Sequence, residues 1–162
     1  MHRMPGRRRE TFKASLIWFY LLVGFVFLTD QLTKCLAVTY LEPHPSIPVL
    51  PNIFHFTLVY NKGIAFGLFH NHESLLLVLI TTSLFLLFFF SRHVSELSLL
   101  TRWAFGLILG GALGNWIDRV HHGYVIDFLD FRIWPVFNFA DTMISIGVGL
   151  YFLSLLKKEK HA

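Results

Sequence analysis

Four aspartates in the C-terminal half of the chain are candidates for chemistry: Asp118, Asp127, Asp130 and Asp141. They lie beside or inside apolar stretches, where ionisable groups are costly and therefore mark a functional site by default. Two carboxyl groups that face each other near lipid cannot both ionise cheaply, so the pKa of one rises and the pair shares a proton. Such a pair can activate water through its ionised member and protonate a carbonyl oxygen or a leaving amine through the other.

The surroundings of Asp141 and Asp127 differ. Asp141 follows Asn138-Phe139-Ala140 at the start of an apolar run and has no cation nearby in the sequence, which favours a functional role. Asp127 lies among apolar residues, and composition alone fits a working acid and a surface-loop acid equally well.

Two acids have a cation beside them in the sequence. Asp30 and Lys34 are four residues apart, so they share one face of a helix. Asp118 is followed directly by Arg119. We interpret Asp30 and Asp118 as members of structural ion pairs.

Other catalytic designs fit less well. The sequence has no His-Glu-x-x-His zinc motif, no Gly-x-Ser-x-Gly elbow and no glycine-rich phosphate loop. Six of the nine histidines fall in the predicted outer loops at irregular spacings, which indicates surface histidines, and Cys35 has no obvious partner for a thiol nucleophile. We expect no metal and no cofactor.

Four apolar stretches must position these groups. Three of them are short, because their uncharged parts cover only residues 14–29, 103–117 and 142–156. A helix that spans the membrane needs about 20 mostly apolar residues. A spanning helix built on any of these three stretches must therefore also include charged residues. We predict an all-α membrane protein, a single domain over residues 1–162, with four transmembrane helices at about 14–40, 73–91, 101–119 and 136–156.

The basic residues indicate how the helices are oriented. The chain is 54% hydrophobic and 15% charged, with a net charge of +4. Ten of its fourteen Lys and Arg fall at the N-terminus, between the second and third spans, or in the C-terminal tail. By the positive-inside rule these regions, and so both termini, are cytoplasmic. We attribute the basic surplus to topology and anionic-lipid contact and expect no nucleic-acid partner.

With this topology the unusual polar groups converge on the outer side of the membrane, in or beside outer loops at about 41–72 and 120–135. Residues 53–60 alternate in strand fashion, 61–63 form a turn, and 64–69 follow, which predicts a small extracytoplasmic β-rich cradle that accepts an extended peptide. Gly106, Gly110 and Gly114 recur every fourth residue and predict close helix packing.

Five motifs follow one another along the chain: Asp30-Gln31-Leu32-Thr33-Lys34, Asn61-Lys62-Gly63-Ile64-Ala65-Phe66-Gly67, the run from Gly110 to Arg119, Val125-Ile126-Asp127-Phe128 and Phe137-Asn138-Phe139-Ala140-Asp141. In this order they resemble the motifs of lipoprotein signal peptidase (signal peptidase II), a bacterial membrane aspartic peptidase, over essentially the whole chain. Ile64 is bulkier than the small residue common there.

The resemblance implies that Asp127 and Asp141 are the catalytic pair. It implies cleavage of prolipoproteins just before a diacylglyceryl-modified cysteine, by a monomer in the bacterial inner membrane whose active site lies in the outer leaflet and faces the periplasm. The partners would be lipid-modified precursors and membrane lipids. The residues expected to bind substrate or support the pair are Asp30, Lys34, Asn61, Gly63, Ala65, Gly111, Asn115, Arg119, Val125, Asn138 and Ala140.

Two alternatives belong to other classes. A proton- or ion-coupled carrier would use Asp30, Asp118 and Asp141 as a relay, but carriers hold polar sites near the midplane and have repeated halves, and no repeat is present. A non-catalytic assembly factor would hold a partner helix on the glycine ridge and would tolerate loss of Asp127.

Overall fold

The computed structural model describes residues 5–63, 73–91 and 97–159. In this part of the chain the elements are α1 (Pro5–Leu41), β1 (Ser46–Leu50), β2 (Phe54–Asn61), α2 (Glu73–Phe90), α3 (Leu99–His122), β3 (Val125–Asp130) and α4 (Phe139–Glu159).

Each predicted apolar stretch corresponds to a helix. Two of them, over Ala14–Leu41 and Phe139–Lys157, are long and apolar enough to cross a membrane by length and composition, and Leu77–Phe89 is a shorter apolar segment. Helix α1 begins at Pro5, before the span predicted from about residue 14, because hydropathy does not register the polar and basic residues that precede the span. Helix α3 runs from Leu99 to His122, a few residues beyond each predicted end, and α4 begins at Phe139 rather than near residue 136, because hydropathy does not detect helix caps.

Helix α3 is the centre of the bundle and packs against the other three helices. The glycine ridge faces α1: a Cβ on Gly110 would lie 2.7 Å from Cβ of Val26, and one on Gly106 would contact Leu22. The predicted packing role of the ridge is therefore confirmed. Gly111, one residue on, faces α4, where its Cβ would lie 2.6 Å from the Ala140 carbonyl oxygen.

A three-stranded antiparallel sheet of order β1-β2-β3 covers one end of the bundle. The predicted strand at 53–60 is confirmed as β2, although its partners are β1 and β3. The second strand predicted at 64–69 lies outside the described residues. Strand β3 was not predicted, and it brings Asp127 opposite Val59 of β2.

Large apolar side chains cover the outside of the helices. Phe25, Leu28, Phe85 and Phe152 are each more than 60% exposed, whereas small residues and polar groups fill much of the interior. Contiguous exposed apolar surface marks a membrane interaction site, so this distribution is that of helices facing lipid.

Candidate active site

The N-terminus of α4 fixes the position of Asp141. The side-chain oxygen of Asn138 accepts a hydrogen bond from the Asp141 backbone N–H at 2.9 Å, and Asp141 Oδ2 accepts one from the Asn138 N–H at 3.3 Å. This reciprocal pair has the geometry of a capping box, with Asn138 as the cap and Asp141 three residues later. The carboxyl group is thereby held at the first turn of the helix, and its Oδ1 remains available to another donor.

Strand β3 supplies the second carboxyl group. Asp127 is 2% exposed and accepts a hydrogen bond on each oxygen: from Asn138 Nδ2 at 2.7 Å and from Asn61 Nδ2 at 2.8 Å. Asn61 ends β2, where it pairs with Val125 in the sheet. Asn138 contacts both acids, so the cap of α4 also joins α4 to the sheet.

Both carboxyl groups line one cavity of about 260 Å³. Asp141 is only partly buried, whereas Asp127 lies at the buried side of the site. The remaining lining residues combine polar groups with an apolar wall: Asn61, Asn115, Arg119, Val125, Trp134, Pro135, Val136, Phe137, Ile144 and Ser145.

Asn115 of α3 links this pair to the helix bundle. Its Nδ2 donates to Asp141 Oδ1 at 2.8 Å. Its Oδ1 accepts from Lys34 Nζ at 2.9 Å and from Asn138 Nδ2 at 3.0 Å. Because two donors share that oxygen, the orientation of the Asn115 amide is fixed, and so is the donor that it presents to Asp141.

Lys34 is 2% exposed and lies among acids from two helices. Its Nζ is 2.7 Å from Asp30 Oδ2 and 2.7 Å from Asp118 Oδ2. The ion pair predicted between Asp30 and Lys34 is confirmed. The one predicted between Asp118 and Arg119 is wrong, because adjacent residues point to different sides of a helix.

The same cluster holds α1 against α4. Asp30 Oδ1 accepts a hydrogen bond from the Ala140 backbone N–H at 2.9 Å. A carboxylate at this position satisfies a free donor of the first helical turn and interacts favourably with the helix dipole. Gln31, which was not singled out from the sequence, donates to Asp118 at 3.0 Å and to Asp30 at 3.2 Å.

Arg119 joins α3 to the loop after β2. Its guanidinium donates to the Gly63 carbonyl at 3.0 Å and to the Asn115 carbonyl at 3.2 Å. Gly63 in turn donates its N–H to Asn61 Oδ1 at 2.9 Å. The Nε of Arg119 is buried and has no hydrogen-bond partner among the described residues, and the side chain lines the cavity.

Burial, and to a smaller extent the nearby Asp141 carboxylate, raises the pKa of Asp127 to about 7, although hydrogen bonds from Asn61 and Asn138 act in the opposite direction. Asp130, on the same strand, differs. Desolvation would raise its pKa, but hydrogen bonds from Arg132 and Thr57 outweigh that effect and lower it.

The structure therefore brings most of the predicted site residues together. Gly111 and Val125 contribute by position, since Gly111 contacts the Ala140 backbone and Val125 lines the cavity. Ala65 lies outside the described residues. The sequence analysis missed Gln31 as a supporting group, and it predicted an ion pair for Asp118 but with the wrong partner, although both residues belong to the sequence motifs. Within residues 5–63, 73–91 and 97–159, no three His, Cys, Asp or Glu side chains converge to hold a metal ion.

The comparison with known families agrees with this geometry. The profile of the family described as signal peptidase (SPase) II matches residues 22–157, which include the whole polar cluster. The chain belongs to the signal peptidase II family. The matched segment, residues 22–157, is thus that of a peptidase family.

Similar proteins cover nearly the full chain. A protein of Halothermothrix orenii named lipoprotein signal peptidase is 43% identical over 143 residues, 87% of this chain and 97% of that protein. One of the same name from Syntrophotalea carbinolica is 45% identical and covers 83% of this chain and 88% of its own. A solved structure described as a bacterial membrane enzyme superposes with a TM-score of 0.76 at 34% identity, over 86% of this chain and 92% of that one.

Proposed function

We propose that this protein is an intramembrane aspartic endopeptidase in which Asp127 and Asp141 are the catalytic residues. It removes the signal peptide from diacylglyceryl-modified prolipoproteins by cutting N-terminal to the modified cysteine. The observation that carries the proposal is the pair of carboxyl groups that line one cavity and both accept hydrogen bonds from Asn138. Family membership and the relatives named lipoprotein signal peptidase support the substrate class.

The two carboxyl groups divide the chemistry. With one proton between them, the ionised carboxylate takes a proton from water while the water oxygen attacks the scissile carbonyl carbon. The protonated carboxyl group gives its proton to the carbonyl oxygen. The tetrahedral intermediate then collapses. The C–N bond breaks, the leaving nitrogen receives the proton taken from water, and a hydroxyl of the intermediate returns a proton to the other carboxyl. The pair ends with one proton, as it began.

Neighbouring groups prepare the site for an extended peptide. Arg119 can donate to a substrate carbonyl, because its side chain lines the cavity and its Nε has no hydrogen-bond partner among the described residues. Asn61 and Asn115 position the two acids rather than react, since each donates to a carboxyl oxygen. Pre-formed donors of this kind lose little freedom when the substrate binds, which favours the reaction.

An apolar hollow next to the cavity fits a lipid-modified substrate. It has a volume of about 520 Å³ and shares Asp141 and Trp134 with the catalytic cavity. Phe131, Ile133 and Ile146 form its apolar sides. A diacylglyceryl group in this hollow would place the adjacent peptide bond beside the two acids.

The membrane arrangement follows from the proposed substrate. We propose that all four helices cross the bacterial inner membrane, that both termini are cytoplasmic, and that the acids lie in the outer leaflet facing the periplasm. Strands β1 to β3 then form the extracytoplasmic cradle. A monomer suffices, because Asp127, Asp141 and their hydrogen-bond partners all belong to one chain.

The test is cleavage of a prolipoprotein by purified protein in detergent, with and without the diacylglyceryl group on the precursor cysteine. Mass spectrometry of both products locates the cut. We expect the lipid-modified precursor to be cut directly before the modified cysteine and the unmodified precursor to stay intact. Equal cleavage of both precursors, or a cut elsewhere, would contradict the proposed substrate class.

A further inference from the structure

A groove between α1 and α3 lies at the end of the bundle opposite the acid cluster. It has a volume of about 200 Å³. Its lining consists of a polar end and apolar walls: Ser15, Trp18, Phe19, Leu22, Leu99, Arg102 and Trp103. The peptidase chemistry proposed above uses none of these residues.

The polar end of the groove has an unsatisfied donor. The Arg102 guanidinium donates to the Ser15 hydroxyl, but its Nε is buried and has no hydrogen-bond partner among the described residues. Leaving a buried charged donor without an acceptor is costly. An external group with several acceptor oxygens would satisfy it, and a guanidinium matches phosphate geometry particularly well.

The walls of the groove are apolar and face outwards. Trp18 is 72% exposed and Trp103 is 49% exposed, while Phe19 is buried behind them. Tryptophan prefers the boundary between headgroups and hydrocarbon. Ser15 and Arg102 lie where the uncharged stretches 14–29 and 103–117 begin, so the polar end is at headgroup depth and the walls extend below it.

The charge of the described side chains at this end, those of Arg102 and Lys157, favours an anion. Every acid whose side chain the structure describes lies at the opposite end of the molecule: Asp30, Glu42, Asp118, Asp127, Asp130 and Asp141. Among these described side chains there is no carboxylate near the groove that would receive an ammonium headgroup. The positive end of the α3 dipole, capped by Ser98, lies one turn from Arg102 and adds to the same preference.

We infer that this groove is a binding site for an anionic membrane glycerophospholipid of the cytoplasmic leaflet. The phosphate diester accepts hydrogen bonds from Arg102 and Ser15, and an acyl chain lies against Trp18 and Trp103. A free phosphate ion would use only the polar end and gain nothing from the exposed indole rings. The lipid would hold the N-terminal ends of α1 and α3 together, far from the acids.

Native mass spectrometry of the full-length protein in detergent tests this inference. The protein is titrated with phosphatidylglycerol, phosphatidylethanolamine and phosphatidylcholine of identical acyl chains. We expect phosphatidylglycerol to be retained preferentially and Arg102→Gln to weaken its retention about tenfold. Lys157→Gln is the matched control, because it removes one exposed positive charge at the same end of the bundle and should retain lipid like the wild type.

Two further variants separate the groove from a folding defect. Trp18→Leu keeps an apolar surface but removes the indole ring that forms one wall of the groove, and it should weaken lipid retention severalfold. Arg102→Lys keeps the positive charge but removes the planar guanidinium group, and it should give lipid retention between those of the wild type and Arg102→Gln. Size-exclusion chromatography checks that each variant is monodisperse; if Arg102→Gln is not, the other two variants decide.

Three outcomes would overturn the inference. Unchanged retention in Arg102→Gln, or in both Arg102→Lys and Trp18→Leu, would show that the groove does not bind the lipid. An equal loss in Lys157→Gln would show diffuse attraction between charges. Displacement of the lipid by millimolar inorganic phosphate would show an anion site that does not recognise a lipid.

Discussion

Asp127 and Asp130 lie on the same strand and meet opposite surroundings. Asp130 pairs with Arg132 at 2.9 Å and with Thr57 at 2.8 Å, so its charged form is stabilised. Asp127 is buried beside a second acid and receives only neutral amide donors, so its pKa rises to about 7. The raised pKa of Asp127 is therefore set by its burial and by its neighbours, Asp141 among them.

The first prediction is a bell-shaped dependence of the cleavage rate on pH, with apparent pKa values that belong to the pair. The rate should fall as pH rises through about 7, because the pair then loses the proton that it shares. The rate should also fall in acid, where both carboxyl groups are protonated.

Asn61→Ala sharpens the pH measurement. The Asn61 amide lowers the pKa of Asp127, so its removal should move the alkaline limb to higher pH even though the maximal rate drops. Asp130→Asn is the control and should leave that limb unchanged. A wild-type profile that is flat across neutral pH, when chemistry limits the rate, would refute the shared proton.

At the scale of elements, α3 determines how closely the helices approach. Gly111 lets the α4 backbone pack directly on α3 one residue before Asp141. By contrast, a Cβ on Gly149 of α4 would meet nothing within 4 Å. These two glycines offer the same substitution in a tight and an open position.

The second prediction is that Gly111→Ala lowers the cleavage rate about 10- to 100-fold, because α4 must shift and Asp141 moves with it. The free energy of unfolding should fall by about 1–3 kcal/mol, as in other overpacked interiors. Gly149→Ala should keep wild-type activity and stability. Cleavage assays and thermal unfolding in the same detergent measure both effects. A fully active Gly111→Ala would show that this contact does not position Asp141.

The strands show which elements a sequence pattern can predict and which it cannot. Alternating residues identified β2, but β3 is buried on both faces, so Val125-Ile126-Asp127-Phe128 has no alternation to detect. The start of α4 was placed too early because hydropathy extends through Val136 and Phe137, whereas the hydrogen bonds of Asn138 set the boundary. The first miss concerns burial by tertiary packing, which no local pattern encodes, whereas the second concerns a local capping box that hydropathy does not detect.

Side-chain partners could be predicted from the sequence only where both residues lie in the same helix. Asp30 and Lys34, one turn apart, were paired correctly from spacing. The pairing of Asp118 with Lys34 joins two helices, and sequence proximity to Arg119 pointed to the wrong partner. The motifs did identify Asn115 and Asn138, but not that Asn115 connects the buried cation to Asp141.

At the scale of the whole molecule, the acids whose side chains the structure describes lie at one end, and Arg102 and Lys157 lie at the other. The third prediction uses this asymmetry. In a Cys35→Ser background, Ile133→Cys should react with a membrane-impermeant maleimide in intact spheroplasts, because Ile133 is 93% exposed at the acid end. Lys157→Cys should react only after permeabilisation. Labelling of both positions, or the reverse pattern, would contradict the proposed orientation.

The central claim is tested most directly by cleavage of the lipid-modified precursor by three asparagine variants. Asp127→Asn and Asp141→Asn should each lower the rate by about a thousandfold or more, while the proteins elute from size exclusion like the wild type. Asp130→Asn, the same change three residues along β3 and outside the cavity, should cleave at close to the wild-type rate. If Asp127→Asn or Asp141→Asn cleaves within about tenfold of the wild type, these two residues are not the catalytic pair.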